Sequence, residues 1–268
     1  MRNTIIIWLL FTITILSGCS NANPSNEITD TAQPLTRSQI DEIITATNGS
    51  MIQEIDFSQV TKSDPAQQAD MNEKMRHLGE KLNGKVTIEN TNIVIARVNG
   101  EAITASDWYF EKSWEVGKAE TRNKRIPSDK ELFNNLIKAK AISSTARSLG
   151  LYPPEDQVNA YMADQRKCLE ELKPEELTVL LNTWSVSEEE YLLLMRDCYT
   201  DSLANVNWHI YLEKYEDHQE DVQKYTVKNP QKIYDDKIMK LVEEAEVEVT
   251  SEGYRLGIST PSTPNQNT

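Results

Sequence analysis

Glycine is almost missing from the middle of this chain: of nine in 268 residues, none falls between residues 151 and 252. Sheet proteins turn at short intervals and draw on glycine to do so. A stretch this long, broken only by prolines at helix starts, therefore excludes a sandwich or barrel there. Positive charge is also scarce. Twenty-eight Lys and Arg stand against 42 Asp and Glu, a formal charge of −14. Neutralising phosphates requires clustered cations, so nucleic acid is excluded as a partner. Histidine occurs three times, as His77, His209 and His218, each in a helical and mostly polar setting. His218 sits in the run Glu-Asp-His-Gln-Glu-Asp, which has the residue types of a metal site. No second ligand pair at defined spacing supports it, and the run reads as a solvated acidic helix end, so no metal is expected. The Walker and Rossmann glycine patterns, Gly-x-Ser-x-Gly and His-Glu-x-x-His are all lacking. No enzymatic activity and no cofactor are expected.

What remains is 38% hydrophobic, enough for one globular domain with a core or two small ones. The first residues stand apart. Arg2 supplies a short positive region, residues 5–16 an apolar run, and Leu16-Ser17-Gly18-Cys19 follows where a cleavage site belongs. The tetrapeptide resembles a bacterial lipobox, against an ordinary membrane anchor or a plain signal peptide. The apolar run is short for a span of about 20 residues. The lipobox resemblance implies cleavage before Cys19, a diacylglycerol on its thiol and a lipid membrane as partner. Residues 1–18 are then a signal peptide and 19–37, rich in Ser, Asn, Thr, Pro and Ala, a flexible tether. Residues 251–268 are expected to form a disordered tail.

Residues 38–92 form an amino-terminal helical segment. Asp64-Pro65 supplies a cap and first-turn pair, after which Met71, Met75, Leu78 and Leu82 recur at helical steps up to Asn83-Gly84. The main domain is expected over residues 93–250. A β-branched run, the hairpin signal Asn99-Gly100 and a returning Ala102-Ile103 lead into a helix capped by Thr104 with Asp107 in a capping box. Ser128 with Glu131 and Ser187 with Glu190 make two further boxes, and Val186 is placed to staple to Tyr191. Pro154 and Pro174 each open a helix, and Gly150 ends one with Leu151 placed for a Schellman contact. Asn229-Pro230 opens another, followed by the alternating Val247-Glu248-Val249.

The succession IARVNGEAITASDW, ELFNNLIKAKAISSTARSLGL and PPEDQVNAYMADQRK resembles the amino-terminal chaperone domain of SurA- and PrsA-type extracytoplasmic foldases, over roughly residues 93–250. The resemblance implies a mainly α lobe closed by a small β-hairpin plus a carboxy-terminal strand. In that family a parvulin isomerase domain is inserted before the last helix and strand. Here about fifteen residues take its place, far too few for a domain. The expectation is a membrane-anchored, ATP-independent chaperone of unfolded or secreted polypeptides, without prolyl isomerase activity, on the outer face of a Gram-positive cell membrane. A factor dedicated to one envelope or secreted partner, and a residual isomerase relative, are the alternatives. The acid excess would favour basic clients.

Two sets of residues are left open. Cys168 and Cys198 sit at core-compatible helix positions, as a disulfide or as buried thiols. On the first helix of the domain Trp114 shares a side with Phe110 while Trp108 and Tyr109 point elsewhere, and far along a later helix Trp208, Tyr211 and Tyr215 form a stripe rotated from the one before it. Such stripes belong either to helices sandwiched between others or to an open peptide-binding groove.

Overall fold

The computed structural model describes residues 35–51, 64–216 and 230–259. These form helices α1 (Arg37–Met51), α2 (Pro65–Leu82), α3 (Ala105–Thr121), α4 (Asp129–Ser148), α5 (Glu155–Leu172), α6 (Glu175–Trp184), α7 (Glu188–Tyr211), α8 (Pro230–Glu244) and α9 (Ser251–Arg255). The strands are β1 (Val94–Val98), β2 (Glu101–Thr104) and β3 (Val247–Val249), an antiparallel sheet of order β2-β1-β3. The fold is mainly α with a small three-stranded sheet. Among the described residues no helix is long and apolar enough to cross a membrane.

The sheet forms because the turn between β1 and β2 demands it. Asn99 and Gly100 both take positive φ, 48° and 87°, the backbone of a tight hairpin. Asn99 also reaches the other end of the chain. Its N–H donates to the Glu246 carbonyl at 2.9 Å and its side-chain oxygen accepts from the Glu246 N–H at 2.8 Å. β3 then pairs with β1, Val98 opposite Val247 and Ala96 opposite Val249. A hairpin alone is marginal, and the third strand joins the two ends of the lobe by backbone hydrogen bonds.

The helix boundaries follow their caps. Thr104, Ser128 and Ser187 each accept from the N–H three residues on, and Asp107, Glu131 and Glu190 return a carboxylate to the cap. α4 ends in a Schellman arrangement: Gly150 takes φ 75°, its N–H donates to Arg147 and that of Leu151 to Ala146. Asp64 caps α2 by accepting from the Ala66 N–H.

Three apolar clusters make the core. The first joins α2, α3, α5, α6 and the first half of α7 around Leu82, Trp114, Tyr161, Trp184, Tyr191 and Tyr199. The second lies between the sheet, α3 and α4, with Ile95, Ile103, Trp108, Leu132 and Ile137. The third joins α1, the ends of α4 and α7, and α8, with Ile43, Ile142, Trp208 and Ile238.

Three expected boundaries move. Residues 251–259 are not a loose tail: α9 follows a Thr250 cap, and Ile258 is buried in the second cluster. The docking extends the β1–β3 ladder by one rung: past Ala96 opposite Val249, the Thr250 N–H donates to the Ile95 carbonyl at 3.0 Å and holds the cap of α9 against β1. Leu35 and Thr36 are not tether either, since Leu35 packs on the third cluster and Thr36 bonds with Gln39 at the start of α1. Nor is 38–92 a separate segment: α2 packs along α6, and α1 along α7. Residues 1–34 and 260–268, with the signal peptide, Cys19, most of the tether and the end of the tail, lie outside the described residues, as does His218.

Candidate functional site

Four of the six aromatic candidates for peptide binding are core. Trp108 and Trp114 on α3 are buried in the second and first clusters, and Trp208 and Tyr211 on α7 in the third. Their stripes are rotated because each helix is sandwiched. α3 serves the first and second clusters, and α7, about 36 Å long at 1.5 Å per residue, serves the first and third along its length. Trp108 meets Phe133 edge to face, and Trp208 packs on Tyr234. The remaining two are half-buried. Tyr109 packs against both of its helix's clusters, and Tyr215 stacks on Tyr211 and donates its hydroxyl to Glu42 at 2.9 Å. Among the described residues these six side chains therefore line no open aromatic groove. Cys168 and Cys198 are free thiols, and burial pushes both above the usual thiol range. That keeps them protonated and unreactive at neutral pH.

The helices enclose a different site. A cavity of about 120 Å³ opens between α3, α4 and α7. On α3, Asp107, Glu111 and Glu115 recur every four residues with Phe110 beside them, so one face of the helix lines the space. On α7, Leu194, Cys198, Asp201 and Asn205 follow at steps of four, three and four along one face, with Asp197 beside them; α4 contributes Asn135, Leu136, Ala139 and Lys140. The lining holds five carboxyl side chains and one ammonium, over walls made apolar by Phe110, Leu136, Ile142, Leu194 and Met195.

Most of these charges are already engaged. Lys140 Nζ lies 2.6 Å from Asp201 Oδ2, and the Ser143 hydroxyl donates to Asp201 Oδ1 at 2.7 Å. Burial alone would pull the Lys140 ammonium down. The carboxylates of Asp201, Asp107 and Asp197 and the hydrogen bond to Asp201 outweigh it and hold the ammonium above its ordinary range. Asp107 is taken up by the α3 cap, and Glu115 pairs with Lys118 at 2.6 Å. Glu111 accepts from the Asn135 amide at 2.9 Å on Oε1, leaving Oε2 without a donor among the described residues. Burial first, and the Glu115 charge after it, raise the Glu111 carboxyl to about 7 against the pull of Asn135 and Lys118. Asp197 stands exposed, with no hydrogen-bond partner among the described residues.

Comparison of the chain with protein-family models, with curated proteins and with solved structures finds no match.

The cleft was hard to see in sequence because acids four apart on a helix usually mark a solvated face. One signal was present. Lys140 falls inside the apolar stripe of α4, between Ala139 and Ile142, and a charge there demands a buried partner.

Proposed function

We propose that this protein is a lipid-anchored, ATP-independent, chaperone-like protein that holds polypeptide outside the cytoplasm, with the cleft between α3, α4 and α7 as its contact site and without prolyl isomerase activity. The observation that carries this reading is the cleft: apolar walls under an excess of carboxylates are suited to a polypeptide with hydrophobic and basic side chains. Further support comes from the order of elements. The hairpin, the helices and the returning strand β3 follow one another as in the foldase lobe the sequence resembles, and α7 passes to α8 with thirteen residues, 217–229, between the described ends.

The size of the cleft favours a second reading, a factor dedicated to one partner. A volume of about 120 Å³ is below that of the roughly 150 Å³ cavity that takes a benzene ring in another protein, so it admits one side chain rather than a length of chain. Aggregation of several chemically denatured clients in the presence of the full-length protein separates the two. A general holdase suppresses all of them, basic ones best; a dedicated factor suppresses none but its partner's. Prolyl isomerisation of a test peptide should run at the uncatalysed rate, and acceleration would overturn the reading without catalysis.

A further inference from the structure

We propose that the cleft takes a single alkyl cation, the ammonium or guanidinium end of a lysine or arginine side chain, with its stem along Phe110, Leu136 and Leu194 and its charge met by Glu111 and Asp197. This deepens the polypeptide-binding reading and rests on it only for where the cation comes from.

Elimination among ligand charges leaves a cation. An anion would meet five carboxyl groups, and the one ammonium in the lining, Lys140, is already held by Asp201. A neutral apolar ligand would cover Glu111 further from water while leaving its Oε2 unanswered, which is costly for a group already desolvated. A cation answers it. Asp201 and Glu115 are ion-paired with Lys140 and Lys118, and Asp107 is taken twice by the cap, so the lining carboxylates with neither a cation nor a cap are Glu111 inside and Asp197 on the exposed side. The apolar wall requires that the charge be carried on an aliphatic stem, as lysine and arginine do. The volume allows one such side chain.

The raised carboxyl of Glu111 supports the same chemistry. Glu115 and Lys118 from its own helix and Asn135 from α4 act on it, and Asp107 of α3, Lys140 of α4 and Asp197, Cys198 and Asp201 of α7 face the same cavity. With a pKa of about 7 it is partly protonated at neutral pH, and an entering cation releases that proton. Capture is then tighter above neutrality than below it.

The test is a chemical-shift titration of the isotope-labelled full-length protein at about pH 8, where the Glu111 carboxyl is largely ionised. The probes are n-pentylamine, n-pentanol, and the blocked peptides Ala-Ala-Lys-Ala-Ala and Ala-Ala-Gln-Ala-Ala. Pentylamine should shift α3 and α7 resonances and bind at least about tenfold more tightly than pentanol, the scale of one hydrogen bond to a charged group. The lysine peptide should compete with it and the glutamine peptide should not. Glu111→Gln and Asp197→Asn should each weaken the amine, with the fold intact by circular dichroism. Equal binding of amine and alcohol, or none of the amine, would overturn the cation site. Amine binding that the lysine peptide fails to displace would overturn the side-chain assignment. A protein that binds pentylamine through Glu111 yet protects no client upholds the cation site and overturns the chaperone reading. Client protection unchanged in a Glu111→Gln/Asp197→Asn variant that no longer binds pentylamine would overturn the cleft as the contact site of the chaperone reading.

Discussion

The Lys140 ammonium and the Asp201 carboxylate meet at 2.6 Å in the wall of the cleft, and Ser143 adds a second hydrogen bond from the same helix. One acid of α7 is thus held by two side chains of α4, which fixes the two helices against each other where the cavity opens. Lys140→Met removes the counter-charge and leaves Asp201 largely buried and uncompensated. Stability should fall by about 2–4 kcal/mol, near the low end for a broken buried pair because neither partner is fully enclosed. The double variant Lys140→Met/Asp201→Leu should recover most of that loss in denaturant unfolding. Losses that simply add would show that the two groups are not coupled.

The packing of α2 on α6 gives a prediction of opposite sign at two glycines. A Cβ on Gly79 would overlap Thr183 Oγ1 and stand 2.8 Å from the Leu180 carbonyl oxygen, whereas one on Gly117 of α3 meets nothing within 4 Å. Gly117→Ala should stabilise by about 0.5–1 kcal/mol through helix propensity. Gly79→Ala should destabilise by about 1–3 kcal/mol, since the helices must part. Thermal unfolding of the two variants reads the sign directly, and stabilisation by both would place α2 further from α6 than described.

Ile258 tests the carboxy-terminal docking. It is 5% exposed in the cluster under the sheet, beyond the strand that joins the ends of the lobe. Ile258→Ala should cost about 2–4 kcal/mol as a buried large-to-small change. A denaturant midpoint equal to the parent's would mean that residues 251–259 are a tail after all.

The elements that local chemistry specifies were legible in the sequence. Thr104, Ser128 and Ser187 announced their helices, Asn99-Gly100 its hairpin, and Val247-Glu248-Val249 a strand that β1 was waiting for. What local chemistry does not carry was missed. An aromatic stripe rotated along α7 looks the same whether it faces solvent or a third cluster, and the choice depends on α1 and α8, distant in sequence. Trp208 at 3% exposure was decided by those partners. The cleft was missed for a related reason: Glu111 reads as a surface acid until α4 and α7 close over it.

Glu111 also makes stability depend on pH. Its folded pKa of about 7 lies above the ordinary 4.5, so between those values the folded state binds more protons than the unfolded one. Stability from this group is full below about 4.5, falls as pH rises toward 7 and is gone above it, a change on the order of 3 kcal/mol. Glu111→Gln should flatten that slope in unfolding measured from about pH 5 to 8. The same slope in parent and variant would assign the dependence to another group.

Photocrosslinking from neighbouring positions of α7 tests the central claim, that polypeptide is held in the cleft, most directly. Leu194 lines the cavity, and Leu193, one residue earlier, is 61% exposed on another side of the helix. A photoreactive amino acid is placed at each site in turn in the full-length protein, which is then illuminated with a denatured client of net positive charge. The account predicts a covalent adduct from position 194, competed by the lysine peptide, and little from position 193. Adducts from 193 alone, or equally from both, would contradict it.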